Sequence, residues 1–126
     1  MAAQAPTVAT LQAILAAFNR HDLDAIMAFF AEDCVLEMPR GPQPWGDRHE
    51  GRQRVRAALA TRFAGLPDAH YGQDSHWVCG AFGISEWTLT GTTPAGRRIK
   101  VCGCDHFTFR DGLVVRKNSY WKIVEG

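Results

Sequence analysis

The chain has 126 residues, 46% of them hydrophobic and 21% charged, and a formal charge of +1. That length suits one hydrophobic core; no apolar run reaches the ~20 residues a bilayer crossing needs, and near-neutrality excludes the broad basic surface of a nucleic-acid-binding protein. A soluble single domain, residues 1–126, is expected, without nucleic-acid or membrane partners.

The apolar N-terminal stretch has no positive charge before it, unlike a secretory leader, so the expected location is cytoplasmic. The four cysteines, Cys34, Cys79, Cys102 and Cys104, lack paired C-x-x-C spacing. Reduced thiols are expected, with no metal site and no cofactor.

From 7 to 19, Val8, Leu11, Ile14, Leu15 and Phe18 recur at helical spacing, with Thr7 as cap. Asp22 caps a shorter helix carrying Leu23, Ile26, Met27, Phe29 and Phe30. Residues 34–38 read as a strand ended by Pro39. The Pro- and Gly-rich loop 41–46 then holds Trp45, placed either to plug a core edge or to rim a cavity.

A third helix, about 51–63, buries Val55, Leu59 and Phe63. Arg48, Arg52, Arg54, Arg56 and Arg62 crowd this region and read as a solvated helix face, with an anion-steering patch as the other possibility. Strands follow over 69–79, 84–92, 97–110 and 113–124, separated by Gly- and Pro-containing turns. Helices grouped ahead of hairpins give an α+β fold.

Strand neighbours point to opposite faces. Val101, Gly103, Asp105, Phe107 and Phe109 therefore share one side, and the adjacent pair Asp105 and His106 cannot act as a dyad. A two-residue turn at Asp111-Gly112 would set Arg116, Asn118 and Tyr120 on the Asp105 face. A three-residue loop with a G1 bulge would set Leu113, Val115, Lys117, Ser119, Trp121 and Ile123 there instead. The second face is more apolar and is preferred; it puts Lys117 opposite Asp105.

Burial raises the pKa of a carboxylate and a nearby ammonium lowers it. Protonated, Asp105 could donate to a developing oxyanion; ionised, it could accept a proton. A structural pair without chemistry stays open. His49 and His76 are further proton-transfer candidates, and His49-Glu50 is not part of H-E-x-x-H because Arg52 and Gln53 follow. Trp45, Trp87 and Trp121 are expected to supply wall or core, Trp87 more as core, suiting a flat apolar ligand.

Several segments occur in an order that resembles the SnoaL-like branch of the nuclear transport factor 2-like superfamily, with its ketosteroid isomerases and polyketide cyclases. They are Asn19-Arg20-His21-Asp22-Leu23-Asp24, Phe30-Ala31-Glu32-Asp33-Cys34-Val35, Glu50-Gly51-Arg52, Glu86-Trp87-Thr88-Leu89-Thr90-Gly91-Thr92, and Asp105-His106-Phe107-Thr108-Phe109-Arg110-Asp111-Gly112. The resemblance implies a cone-shaped roll, a strongly bent mixed or antiparallel sheet wrapped around three N-terminal helices, with a ligand pocket between them. It also implies a homodimer through the outer sheet face, where Glu86, Thr88, Cys102, Cys104, His106, Asn118 and Tyr120 are expected.

Of the isomerase proton-handling positions, those at Met38 and Ile14 hold side chains that cannot move protons, and only Asp105 matches. Ser119 stands near a carboxylate position that epoxide hydrolases need. The resemblance therefore implies a cyclase/isomerase-type acid–base enzyme acting on a small hydrophobic carbonyl compound. Asp105 and Lys117 are its expected catalytic residues, with Ile14, Phe18, Met38, Trp45, His49, Trp87, Phe107, Ser119 and Trp121 lining the pocket. A non-catalytic binding protein for a small apolar ligand is the alternative.

Overall fold

The computed structural model describes residues 5–125. Its elements are α1 (Val8–Asn19), α2 (Leu23–Met27), β1 (Phe30–Glu37), β2 (Arg48–Glu50), α3 (Arg52–Gly65), β3 (His70–Cys79), β4 (Phe82–Thr92), β5 (Arg98–Arg110) and β6 (Leu113–Trp121). The class is α+β. One six-stranded sheet has the order β2-β1-β6-β5-β4-β3, so it is unclosed, with β2 and β3 at its edges. It is mixed: β1 and β6 run parallel and the other neighbours antiparallel. α1 packs on β3 and β4, and α3 on β1 and β2, which gives the cone its filling. Among the described residues no helix is long and apolar enough to cross a membrane.

Thr7 and Thr10 cap α1 reciprocally, side chain to backbone in both directions. Leu11, Ile14, Leu15 and Phe18 are buried as their spacing predicts, whereas Val8, expected on that stripe, is 41% exposed in the first turn. Thr7→Ala should cost about 1 kcal/mol, the usual value of an N-cap hydroxyl, read from urea unfolding. The segment after α1 is a structural clasp. Asn19 Nδ2 donates to the Tyr71 carbonyl and its Oδ1 accepts from the Tyr71 N–H (3.0 and 2.8 Å). His21 reaches the Ala69 carbonyl at 2.7 Å, and Asp22 caps α2 through the Ala25 N–H.

Several element bounds differ from expectation, and β6 ends at Trp121 rather than at 124. β1 starts at Phe30 rather than 34, so Phe29 and Phe30 lie beyond the short second helix. Strand β2 emerges just after the Pro-rich loop, too short for alternation to announce it, and pairs Leu36 with His49.

The arginines near α3 do not form one solvated face. Arg48 bonds the buried Glu37, and Arg52 donates to the carbonyls of Met27 and Phe30 at 2.7 and 2.6 Å. Arg56 pairs with Asp24, and Arg62 turns inward to the Tyr71 hydroxyl. Glu37, only 1% exposed, also takes Arg116 as a partner.

The last hairpin reconciles the two registers in an unexpected way. Asp111 and Gly112 both have positive φ (52° and 80°), and Arg110 pairs with Leu113, so the turn has two residues, not three. Phe109 then pairs with Val114 and Thr108 with Arg116, leaving Val115 as an extra residue. This bulge reverses the alternation. Val114 faces the core, Leu113 is 38% exposed, and beyond Val115 the inward residues are Lys117, Ser119 and Trp121. Ile123 lies past the strand and is exposed. Ser119, not Lys117, is directly opposite Asp105, and Lys117 is opposite Phe107.

Candidate functional site

The inward face of β5 and β6 carries a buried polar cluster in an otherwise apolar interior. Asp105 is 3% exposed and accepts from Ser119 Oγ (2.6 Å) and Trp87 Nε1 (3.0 Å), while Lys117 Nζ lies 3.1 Å from Oδ1. Lys117 Nζ also donates to Ser119 Oγ at 2.9 Å and sits 5.1 Å from the Phe18 ring centroid. The diagonal one-step offset across the hairpin is short enough for a lysine to span, so the pair forms although its backbone register differs from expectation.

Burial pushes the Lys117 ammonium below the ordinary lysine range; Asp105 opposes this, and Arg62 adds to it. The unfolded lysine keeps its ordinary, higher pKa, so between the two values the unfolded chain binds more protons. There, stability contributed by this site rises with pH. The stability difference between wild type and Lys117→Met, measured by urea unfolding from pH 7 to 10, should therefore shift in favour of wild type as pH rises. Burial also pushes the Tyr71 hydroxyl up, but that effect is common to both proteins.

A cavity of about 470 Å³ opens beside this cluster. Met38, Arg40, His49, Arg62, Ile99 and Trp121 are among its lining residues, and its size falls in the range of small-molecule sites. Arg62 joins cavity to cluster: its guanidinium lies 4.6 Å from the Trp121 ring centroid and donates to the Tyr71 hydroxyl at 3.3 Å. Tyr71 stands edge-on to Trp87, which holds Asp105.

The expected site residues thus divide. Met38, His49 and Trp121 line the cavity. Asp105, Lys117, Ser119 and Trp87 form the cluster beneath it and do not appear on its wall. Ile14, Phe18 and Phe107 are core residues at 1%, 4% and 3% exposure, away from the cavity lining. Trp45 is 44% exposed and rests on Arg48, on the Glu37 side of β1. His76 is enclosed between Asp74 Oδ2 (2.7 Å) and Ser85 Oγ (2.8 Å), not on the cavity wall. Arg62 is the participant that sequence reasoning missed, because an arginine on an arginine-rich helix carries no sign of turning inward.

The outer face holds Glu86, Thr88, Cys102, Cys104, His106, Asn118 and Tyr120 as expected from alternation. It is more apolar than those residues suggest. Trp77, Phe82, Ile84 and Tyr120 are 53%, 60%, 38% and 53% exposed, and Trp77 pairs with Ile84 across β3 and β4.

The buried Asp105–Lys117 pair and the cavity thus belong to one α+β cone. The chain belongs to the SnoaL-like domain family, whose model matches residues 11–117. No curated protein matches it in sequence.

Among solved structures it is similar to a candidate polyketide cyclase from Xanthomonas campestris, with 26% identity over 89% of this chain and 87% of that one and a TM-score of 0.79. A second candidate polyketide cyclase, from Pseudomonas putida, has 20% identity, coverage of 90% and 89%, and a TM-score of 0.80. An NTF2-like protein of unknown function from Burkholderia pseudomallei has 22% identity, coverage of 90% and 88%, and a TM-score of 0.81. At these identities the last two speak for the fold alone.

Proposed function

We propose that this chain is an acid–base enzyme of the polyketide-cyclase/isomerase type acting on a small hydrophobic carbonyl compound. Asp105 carries the proton transfer, and Lys117 tunes its charge or holds the substrate oxygen. The supporting observation is the buried Asp105–Lys117 contact of 3.1 Å, next to a cavity of ligand size. A carboxylate held there by fixed donors is poised to take a proton from carbon or return one to oxygen. Substrate in this reading reaches it past Arg62, which lines the cavity and donates to the Tyr71 hydroxyl beside Trp87. In this reading the exposed apolar face around Trp77, Phe82 and Ile84 pairs two copies of the chain.

A binding protein without catalysis is favoured by a different observation: Asp105 already has Trp87, Ser119 and Lys117 as partners and is absent from the cavity wall. The two readings part in one experiment. With 2-acetonaphthone as probe, NMR should show deuterium entering the methyl group faster than in buffer, and Asp105→Asn should slow this by about 10²- to 10⁴-fold while the ketone still binds. Binding of the ketone with no accelerated exchange would sink the catalytic reading and leave the binding one.

A further inference from the structure

The geometry points to a ligand that is itself an anion, a flat apolar acid whose carboxylate or enolate oxygen is held at the cavity mouth by Arg40 and Arg62. This deepens the small-ligand reading of the same cavity and rests on it. Both guanidiniums lie against the Trp121 indole, at 5.7 and 4.6 Å from its centroid. Among the described residues neither has a carboxylate partner, although Arg48, Arg52, Arg56, Arg110 and Arg116 each have one. The acid on the cavity wall, Asp47, faces His49 at 3.6 Å.

The local charge is out of keeping with the whole. The chain balances 14 basic against 13 acidic residues, yet the groove that continues from Arg40 and Trp121 adds Arg97, Arg98, Lys100 and Lys122 against Glu125. Such a mouth concentrates anions by focusing the field into a recess with low-dielectric walls. The walls themselves, Met38, Leu66, Ile99 and the indole, suit a ring system. Arginine is apt for this task because its planar fork meets a carboxylate in two parallel bonds while its face stacks on an aromatic. Trp121 Nε1 is buried without an acceptor among the described residues. A buried donor left unpaired is costly, which favours any acceptor that can come within reach of the indole nitrogen.

The test compares 2-naphthoate with 2-acetonaphthone, which share a ring system and differ in charge, by calorimetry or Trp fluorescence at low salt. 2-Naphthoate should bind at least about tenfold more tightly, and added salt should erode that preference. Arg40→Gln and Arg62→Gln should each reduce the preference, whereas Arg62→Lys, which keeps the charge but not the planar fork, should retain only part of it. Arg40 is exposed, so its variant carries the test if Arg62→Gln fails to fold.

Equal binding of the two probes, or a preference untouched by both Gln variants, overturns the inference and leaves the cavity a neutral-ligand site. Binding of neither probe overturns this inference together with the small-ligand reading beneath it.

Discussion

Lys117→Met should lower the unfolding free energy by about 3–5 kcal/mol, because it leaves the Asp105 carboxylate buried without its cation. Trp87 and Ser119 would still donate to Asp105, so the loss comes from the missing charge rather than from an empty acceptor. Adding Asp105→Asn should restore part of the stability, since no unpaired charge remains: the amide oxygen can still accept from Trp87 Nε1, and its NH2 can donate to Ser119 Oγ, which has lost its Lys117 donor. Urea unfolding of the two single variants and the double variant gives the coupling, expected at about 0.5–3 kcal/mol. Simple additivity would mean that the two groups do not sense each other, and the paired-charge account of this cluster would fall with it.

Trp87→Ala should be of similar size, about 3–5 kcal/mol. The indole is 2% exposed, packs edge-on against Tyr71 at a 4.8 Å centroid distance, and donates to Asp105. Its outer edge comes so close to Gly103 that a Cβ there would meet it at 2.7 Å, so the neighbouring backbone has already yielded its space to this ring. The variant loses transfer energy, leaves a cavity and removes a donor together. Trp87→Phe separates these terms: it keeps most of the apolar volume, so a remaining loss of about 1–3 kcal/mol measures the withdrawn N–H. Thermal or urea unfolding of both variants checks the ordering, which would fail if Trp87→Phe were as damaging as Trp87→Ala.

The parts of the fold governed by local periodicity were legible. Leu11, Ile14, Leu15 and Phe18 repeat at helical spacing and are buried, and Asp105 shares its face with Phe107 and Phe109 as alternation requires. The bulge at Val115 was not legible, since no glycine or proline marks it. It arises where β6 must satisfy both β5 and β1, and the register slips on both sides of it. Similarly, β2 has three residues, too few to display a period, and exists because β1 offers it an edge.

The site was legible in part for the same reason. Face assignments brought Asp105, Lys117 and Ser119 together, but which of them a ligand can reach depends on side chains from distant elements. Arg62 on α3 and Trp121 at the end of β6 meet over that face. Nothing in their own neighbourhoods signals the meeting. Trp45 shows the converse: a large aromatic in a Pro-rich loop suggested a cavity rim, and it instead covers a guanidinium that neutralises Glu37.

The parallel pairing of β1 with β6 sets an order of assembly. Phe30 meets Val114 and Leu36 meets Lys117, partners some eighty residues apart, and such distant closures are slow because chain entropy is lost before contacts repay it. On the ribosome, β1 would emerge early and wait for the final hairpin, its long edge open to strands of other molecules. The element that completes the interior is also the one that delivers Lys117 and Ser119, so a nascent chain acquires its polar centre only in the step that seals its most adhesive edge.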